Sequence, residues 1–217
     1  MKTEEQVVQN HKETPNAKTH WEGVYGRASL DAVSWYRPHL ETSLRLVQGA
    51  AGADASVIDV GGGHSTFVDD LLQQRYRNVT VLDVSEIALG CSRLRLGKAA
   101  ESVTWIAGDI LTVPLLQSRY DVWHDRAVFH FLRDRQQRMD YVRQVERSLR
   151  PGGHLVMATF GPQGPLKCSG LEVCRYDAAL LAEIFGSRFQ LVESLIEVHQ
   201  TPAGGQQQFL YCHFKFF

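Results

Sequence analysis

Short apolar runs rich in β-branched residues recur along the chain, and most are followed by a stretch with helical spacing. The runs lie at about 56–60, 79–84, 103–107, 120–124 and 154–160, with two more at about 189–199 and 207–216. Segments at about 65–75, 86–97, 134–149 and 177–186 read as the intervening helices, with Ser85 placed to cap the second of them. Arg150-Pro151-Gly152-Gly153 ends the third, a loop rich in Gly and Pro covers 161–170, and Thr201-Pro202-Ala203-Gly204-Gly205 joins the last two strands as a hairpin. This alternation predicts an α/β fold, an open sheet with helices on both faces. Upstream, Leu40, Leu44, Leu46 and Val47 form the apolar side of a helix ending near Gly49. Residues 1–18 lack a clear period and read as a flexible arm. The remainder, 19–217, reads as one domain, with cap helices over 19–50 and a core over 55–160.

The first strand carries the candidate chemistry. Ser56-Val57-Ile58-Asp59-Val60 runs into Gly61-Gly62-Gly63, a turn in which a ligand can lie against bare backbone. Three acids, Asp59, Asp83 and Asp109, follow the ends of the first three strands, where ligands of open sheets sit. Asp83 stands 22 residues after Gly61, where a carboxylate can take two ribose hydroxyls. A dinucleotide fingerprint fails, because Thr66 occupies the third glycine position. Asp59 would repel a pyrophosphate and attract an ammonium or a sulfonium. The plainer role for Asp59 is to tie down loop amides.

Composition narrows the field without choosing within it. A formal net charge of -1 over 217 residues gives no field for nucleic acid or an anionic membrane. No apolar run approaches a membrane span, and the polar start is unlike a signal peptide, so a cytoplasmic protein is expected. Cys91, Cys168, Cys174 and Cys212 are scattered, which supports neither zinc nor a disulfide framework, and no metal is expected.

Taken together, the sequence resembles the class I S-adenosylmethionine-dependent methyltransferases. The resemblance rests on Val57–Gly63, Val81-Leu82-Asp83-Val84-Ser85, Ala107-Gly108-Asp109-Ile110, Tyr120–Arg126 and Leu149–Leu155, in family order and spacing. It implies a Rossmann-like three-layer αβα sandwich. Its sheet has seven mostly parallel strands in the order 3-2-1-4-5-7-6, with strand 7 antiparallel. It also implies S-adenosylmethionine as cofactor. Gly61 and Gly63 would then face the methionine part, Asp83 the ribose, and Asp109 with Ile110 the adenine. Asp59, Gly62, Val84 and Asp125 complete the expected cofactor set, and Trp21 with Tyr25 resembles an aromatic pair laid over the cofactor.

Methyl transfer is an in-line displacement that needs alignment, exclusion of water and an unprotonated acceptor. The catalytic candidates after the fourth strand are His130, as base or positioning group, with His124 and Arg126. A buried histidine with a satisfied hydrogen bond is the plainer reading of His130. Arg126 either holds an anionic substrate group or pairs with Asp125. Substrate-binding candidates are Trp35, Tyr36, Arg37, Phe129, Phe160, Cys168, Arg175 and Tyr176, with Cys168 on a flexible loop as a thiophilic contact. Aromatic walls suit a small soft acceptor such as a thiol, sulfide or related chalcogen compound. The alternatives are a protein-lysine methyltransferase, to which the Trp21–Tyr25 stretch is similar, and a non-catalytic module that binds S-adenosylmethionine.

Overall fold

The computed structural model describes residues 16–27 and 29–217. The expected arm over 1–18 falls almost wholly on residues 1–15, which lie outside the described residues. Ala17 and Lys18 belong to helix α1 (Ala17–Tyr25). Asn16 accounts for this start, because its side chain accepts a hydrogen bond from the Lys18 amide.

Seven strands form one sheet: β1 (Ser56–Val60), β2 (Asn78–Asp83), β3 (Val103–Ala107), β4 (Tyr120–Arg126), β5 (Leu149–Phe160), β6 (Phe189–Gln200) and β7 (Gln206–Phe216). Their order is β3-β2-β1-β4-β5-β7-β6, and β7 runs antiparallel to both of its neighbours. The helices are α2 (Glu41–Ala50), α3 (Phe67–Gln73), α4 (Glu86–Leu96), α5 (Arg135–Ser148) and α6 (Ala178–Phe185). Ser85, Asp134 and Asp177 cap α4, α5 and α6, each accepting a backbone N–H of the first turn. The fold class and strand order are those the sequence leads one to expect.

Two boundaries differ. Strand β5 begins at Leu149 because Arg150–Gly153 bulges within the ladder: Tyr120 pairs with Leu149 and Val122 with His154. The loop over 161–170 is not wholly irregular, since Lys167–Cys168 and Leu171–Glu172 pair as a short hairpin. A strand of two residues is too short to leave a period in sequence.

The period of two along each strand divides the core and positions the site. Ile58, Val60, Trp123 and Met157 pack toward α5 and α6, against Tyr141 and Phe185. Val57, Val122 and Val156 pack toward α2 and α3, against Val47, Phe67 and Leu71. By the same alternation Asp59, His124 and Arg126 leave the sheet on the α2 side, and Asp125 leaves it toward Tyr141. No helix among the described residues is long and apolar enough to cross a membrane.

Candidate active site

A cavity of about 700 Å³ opens at the carboxyl ends of β1, β2 and β4, and the glycine loop forms part of its wall. Gly61 has φ +73°, a left-handed conformation, while its N–H is held by the Leu82 carbonyl at 2.7 Å. At Gly62 the backbone lies on Asp59: an added Cβ would stand 2.1 Å from Asp59 Oδ2. Asp59 is 2% exposed, and its other oxygen accepts a hydrogen bond from His124 Nδ1 at 2.7 Å. His124 Nε2 in turn meets Ser43 Oγ of α2 at 2.9 Å. Asp59 Oδ2 has no partner among the described residues.

Asp83 closes the next strand. Its oxygens accept the Gly63 and Ser85 amides at 3.0 and 2.8 Å, so the loop and the start of α4 are tied to one carboxylate. Burial pushes its pKa up to about 6, against the pull of those amides. Asp109 is exposed at the rim, with Oδ1 accepting the Leu111 amide at 2.9 Å. Val84 and Ile110 line the wall between the two acids.

Aromatic rings build the opposite side. Trp21 stacks on Tyr25 with centroids 5.8 Å apart, and Trp35 and Phe131 meet Trp21 edge-on at 5.8 and 5.2 Å. Burial and the Asp83 charge raise the Tyr25 hydroxyl well above its usual range, so it stays protonated. Tyr36 and Arg37 also line the cavity, and Arg37 is paired with Glu197 at 2.6 Å. Arg126 lies flat against Phe209, 4.4 Å from the ring centroid, and donates to Tyr211 Oη and the Trp35 carbonyl at 3.1 and 3.0 Å.

Several expected site residues lie elsewhere or act differently. His130 does not line the cavity. It is packed on Phe131 and Phe160, accepts the Phe160 amide at 3.3 Å, and is pushed down to about 3 by burial and by Arg126. Its ring is held neutral and packed behind the cavity wall. His124 does line the cavity, but both its ring nitrogens are engaged. Asp125 does not: it accepts the Val128 and Phe129 amides and the Tyr141 hydroxyl, holding the turn after β4. It cannot pair with Arg126, because neighbours on a strand point to opposite faces.

Phe129, Phe160 and Tyr176 are buried outside the cavity, and Arg175 donates to the Gly164 carbonyl. Cys168 does face the cavity, from the short hairpin rather than a loose loop. Burial pushes its thiol up to about 12, which makes it a contact surface and not a thiolate.

Other lining residues escaped the sequence reading. His64 follows the glycine triplet, is buried against Tyr25 at 5.1 Å, and has an unpartnered Nδ1. Its place directly after the triplet was the available signal. Phe131 reaches the cavity through a 3₁₀ turn (Phe129–Phe131), and Leu171 and Glu172 through the hairpin. No sequence period announces either.

Residues 58–157 match the family model described as a methyltransferase domain. The ubiquinone/menaquinone biosynthesis C-methyltransferase of Roseobacter denitrificans is 28% identical over 114 residues, 51% of this chain and 44% of that protein. The chain thus spans less than half the length of this relative. The EEF1A lysine methyltransferase 2 of Danio rerio is 21% identical over 82% of this chain and 77% of its own. Among solved structures, an S-adenosylmethionine-dependent methyltransferase from Anabaena variabilis superposes with a TM-score of 0.73 at 15% identity, covering 94% of this chain and 96% of that one. Residues 58–157 thus match a methyltransferase domain, and the strand order and the acid-flanked glycine loop make the chain similar to the class I S-adenosylmethionine-dependent methyltransferases.

Proposed function

We propose that the protein transfers a methyl group from S-adenosylmethionine to a small molecule whose acceptor atom is soft, a thiol, sulfide or related chalcogen. The cavity residues fit the cofactor. The bare backbone at Gly62 lets the Asp59 carboxylate close in on the loop, and the unpartnered Asp59 Oδ2 suits an ammonium. In this reading Gly61 to Gly63 bound the methionine part and Asp83 takes the ribose hydroxyls. Asp109 and Ile110 meet the adenine, and Trp21 and Tyr25 cover the whole. Bound there, S-adenosylmethionine supplies a sulfonium-activated methyl group and leaves as S-adenosylhomocysteine. The protein's own part is to align the acceptor and exclude water.

One observation carries the choice of acceptor: among the described residues, no histidine of the aromatic chamber is placed to act as a base, and Asp83 is tied to the Gly63 and Ser85 amides. His130 is outside it, both nitrogens of His124 are taken, and burial with Arg95 lowers the pKa of His64. An alcohol or an ammonium would have to lose a proton to such a group. A thiol is ionised to roughly a few per cent at pH 7 without help, and that thiolate is intrinsically a strong nucleophile.

The aromatic walls also suit a lysine side chain through cation–π attraction, the reading that the Danio rerio relative's name brings. The half-buried guanidinium of Arg126 opposes a cationic acceptor. Formation of S-adenosylhomocysteine with panels of thiols, amines and extracted protein separates the readings. Turnover confined to thiols supports the proposal, and methyl label found only in protein refutes it. Cofactor binding with no turnover on any panel would leave a binding module.

A further inference from the structure

Arg126 lacks the countercharge that the other arginines of the cavity possess. Arg37 is bridged to Glu197 and Glu41, and Arg133 to Glu172. Among the described residues no carboxylate approaches Arg126 within ion-pair distance. Its contacts are the Tyr211 hydroxyl, the Trp35 carbonyl and the face of Phe209, all neutral. Nη2 is buried and donates to nothing. With Nη2 desolvated and unpartnered and only neutral groups against the rest, this half-buried guanidinium is better satisfied when an anion meets it. The fixed rotamer, clamped on both sides of the fork, is poised for a planar oxyanion.

We infer that the methyl acceptor carries an oxyanion, a carboxylate or its equivalent, and that Arg126 holds it. The acceptor is then an anionic small molecule, held by its charge at β4 while its nucleophilic atom faces the cofactor. This rests on the methyl-transfer reading of the site. The competing claimant for Arg126 is the amino-acid carboxylate of the cofactor itself, and the two are separable by experiment.

The probe pair is 3-mercaptopropionate and its neutral isostere 3-mercaptopropionamide. Their binding to the protein saturated with S-adenosylhomocysteine is followed by the fluorescence of the chamber tryptophans. The carboxylate should bind at least about tenfold more tightly than the amide. Arg126→Gln should remove that preference and Arg126→Lys should keep part of it, with both variants melting as cooperative folds. The Kd for S-adenosylhomocysteine, measured by calorimetry, should change less than about twofold in Arg126→Gln. Equal binding of the two probes to the native protein overturns the inference without recourse to any variant. A tenfold loss of S-adenosylhomocysteine affinity in Arg126→Gln also overturns it, and gives Arg126 to the cofactor. Arg126-dependent binding of the carboxylate with no methyl transfer sinks the methyl-transfer reading instead. Equal turnover of both thiols sinks only the anion.

Discussion

His124 and Asp59 are register partners on adjacent parallel strands, β4 and β1, and their side chains meet at 2.7 Å. The bond is buried on all sides, and Ser43 extends it into α2. A carboxylate at the mouth of the glycine loop is thereby fixed by a ring from the next strand and a hydroxyl from the cap helix. Breaking a buried pair by removing one member costs roughly 3–5 kcal/mol. His124→Leu should therefore lower unfolding stability by about 3 kcal/mol and weaken cofactor binding through a displaced Asp59. Ser43→Ala, which removes only the outer bond, should cost about 1 kcal/mol. Urea denaturation of the two variants checks the ranking. Equal costs would mean that His124 does not anchor Asp59.

The proposed ribose contact of Asp83 makes cofactor affinity depend on pH. Its pKa is about 6 in the fold against an ordinary 3.8, so the folded state holds the proton more tightly than the unfolded one. Stability from this group is fully present below about pH 4 and is lost as pH rises through about 6. Asp125 is also raised to about 6 and acts in the same direction. Cofactor binding should run the other way, because ribose hydroxyls donate to the ionised carboxylate. Affinity for S-adenosylhomocysteine should rise between pH 5 and 7 and flatten above. Asp83→Ala should weaken binding by about 1–3 kcal/mol and remove the pH dependence. A pH-independent Kd in the native protein would take Asp83 out of the ribose contact.

The parts of the site legible in sequence are those fixed by strand period and glycine geometry. Asp59, Gly61, Asp83 and Asp109 fall at strand ends, and strand ends were readable from β-branched runs. The same period separates Asp125 from Arg126 and rules out their pairing. Beyond β4 the chain makes a 3₁₀ turn, which puts Phe131 on the cavity wall and His130 behind it, and no sequence period announces such a turn. Cys168 lines the cavity, and its burial is set by the hairpin and by neighbours distant in sequence.

His130→Leu tests whether His130 takes part in the chemistry. The neutral ring lies outside the cavity and accepts one amide, so its loss should cost about 1 kcal/mol of stability. Steady-state kcat and KM for the best thiol should stay within about threefold of the native values, with an unchanged pH profile. A collapse of kcat, with the melting temperature preserved, would restore His130 to the chemistry.

Gly62→Ala probes the approach of Asp59 to the glycine loop. The new Cβ would meet Asp59 Oδ2 at 2.1 Å, well inside contact distance. The carboxylate cannot swing aside freely, because Oδ1 is held by His124 and the β1 backbone is paired on both edges. Either the loop moves outward or the His124 bond breaks, and both outcomes cost stability on the scale of overpacking, about 1–3 kcal/mol. Both also spoil the cradle at the cofactor's methionine end. Affinity for S-adenosylhomocysteine should therefore fall at least tenfold, more than the stability loss alone explains. Combining Gly62→Ala with Asp59→Ala separates the two effects: stability should partly recover because the clash is gone, while affinity stays low because the acid is gone. Recovery of affinity in the double variant would show that Asp59 contributes nothing to binding beyond its bulk.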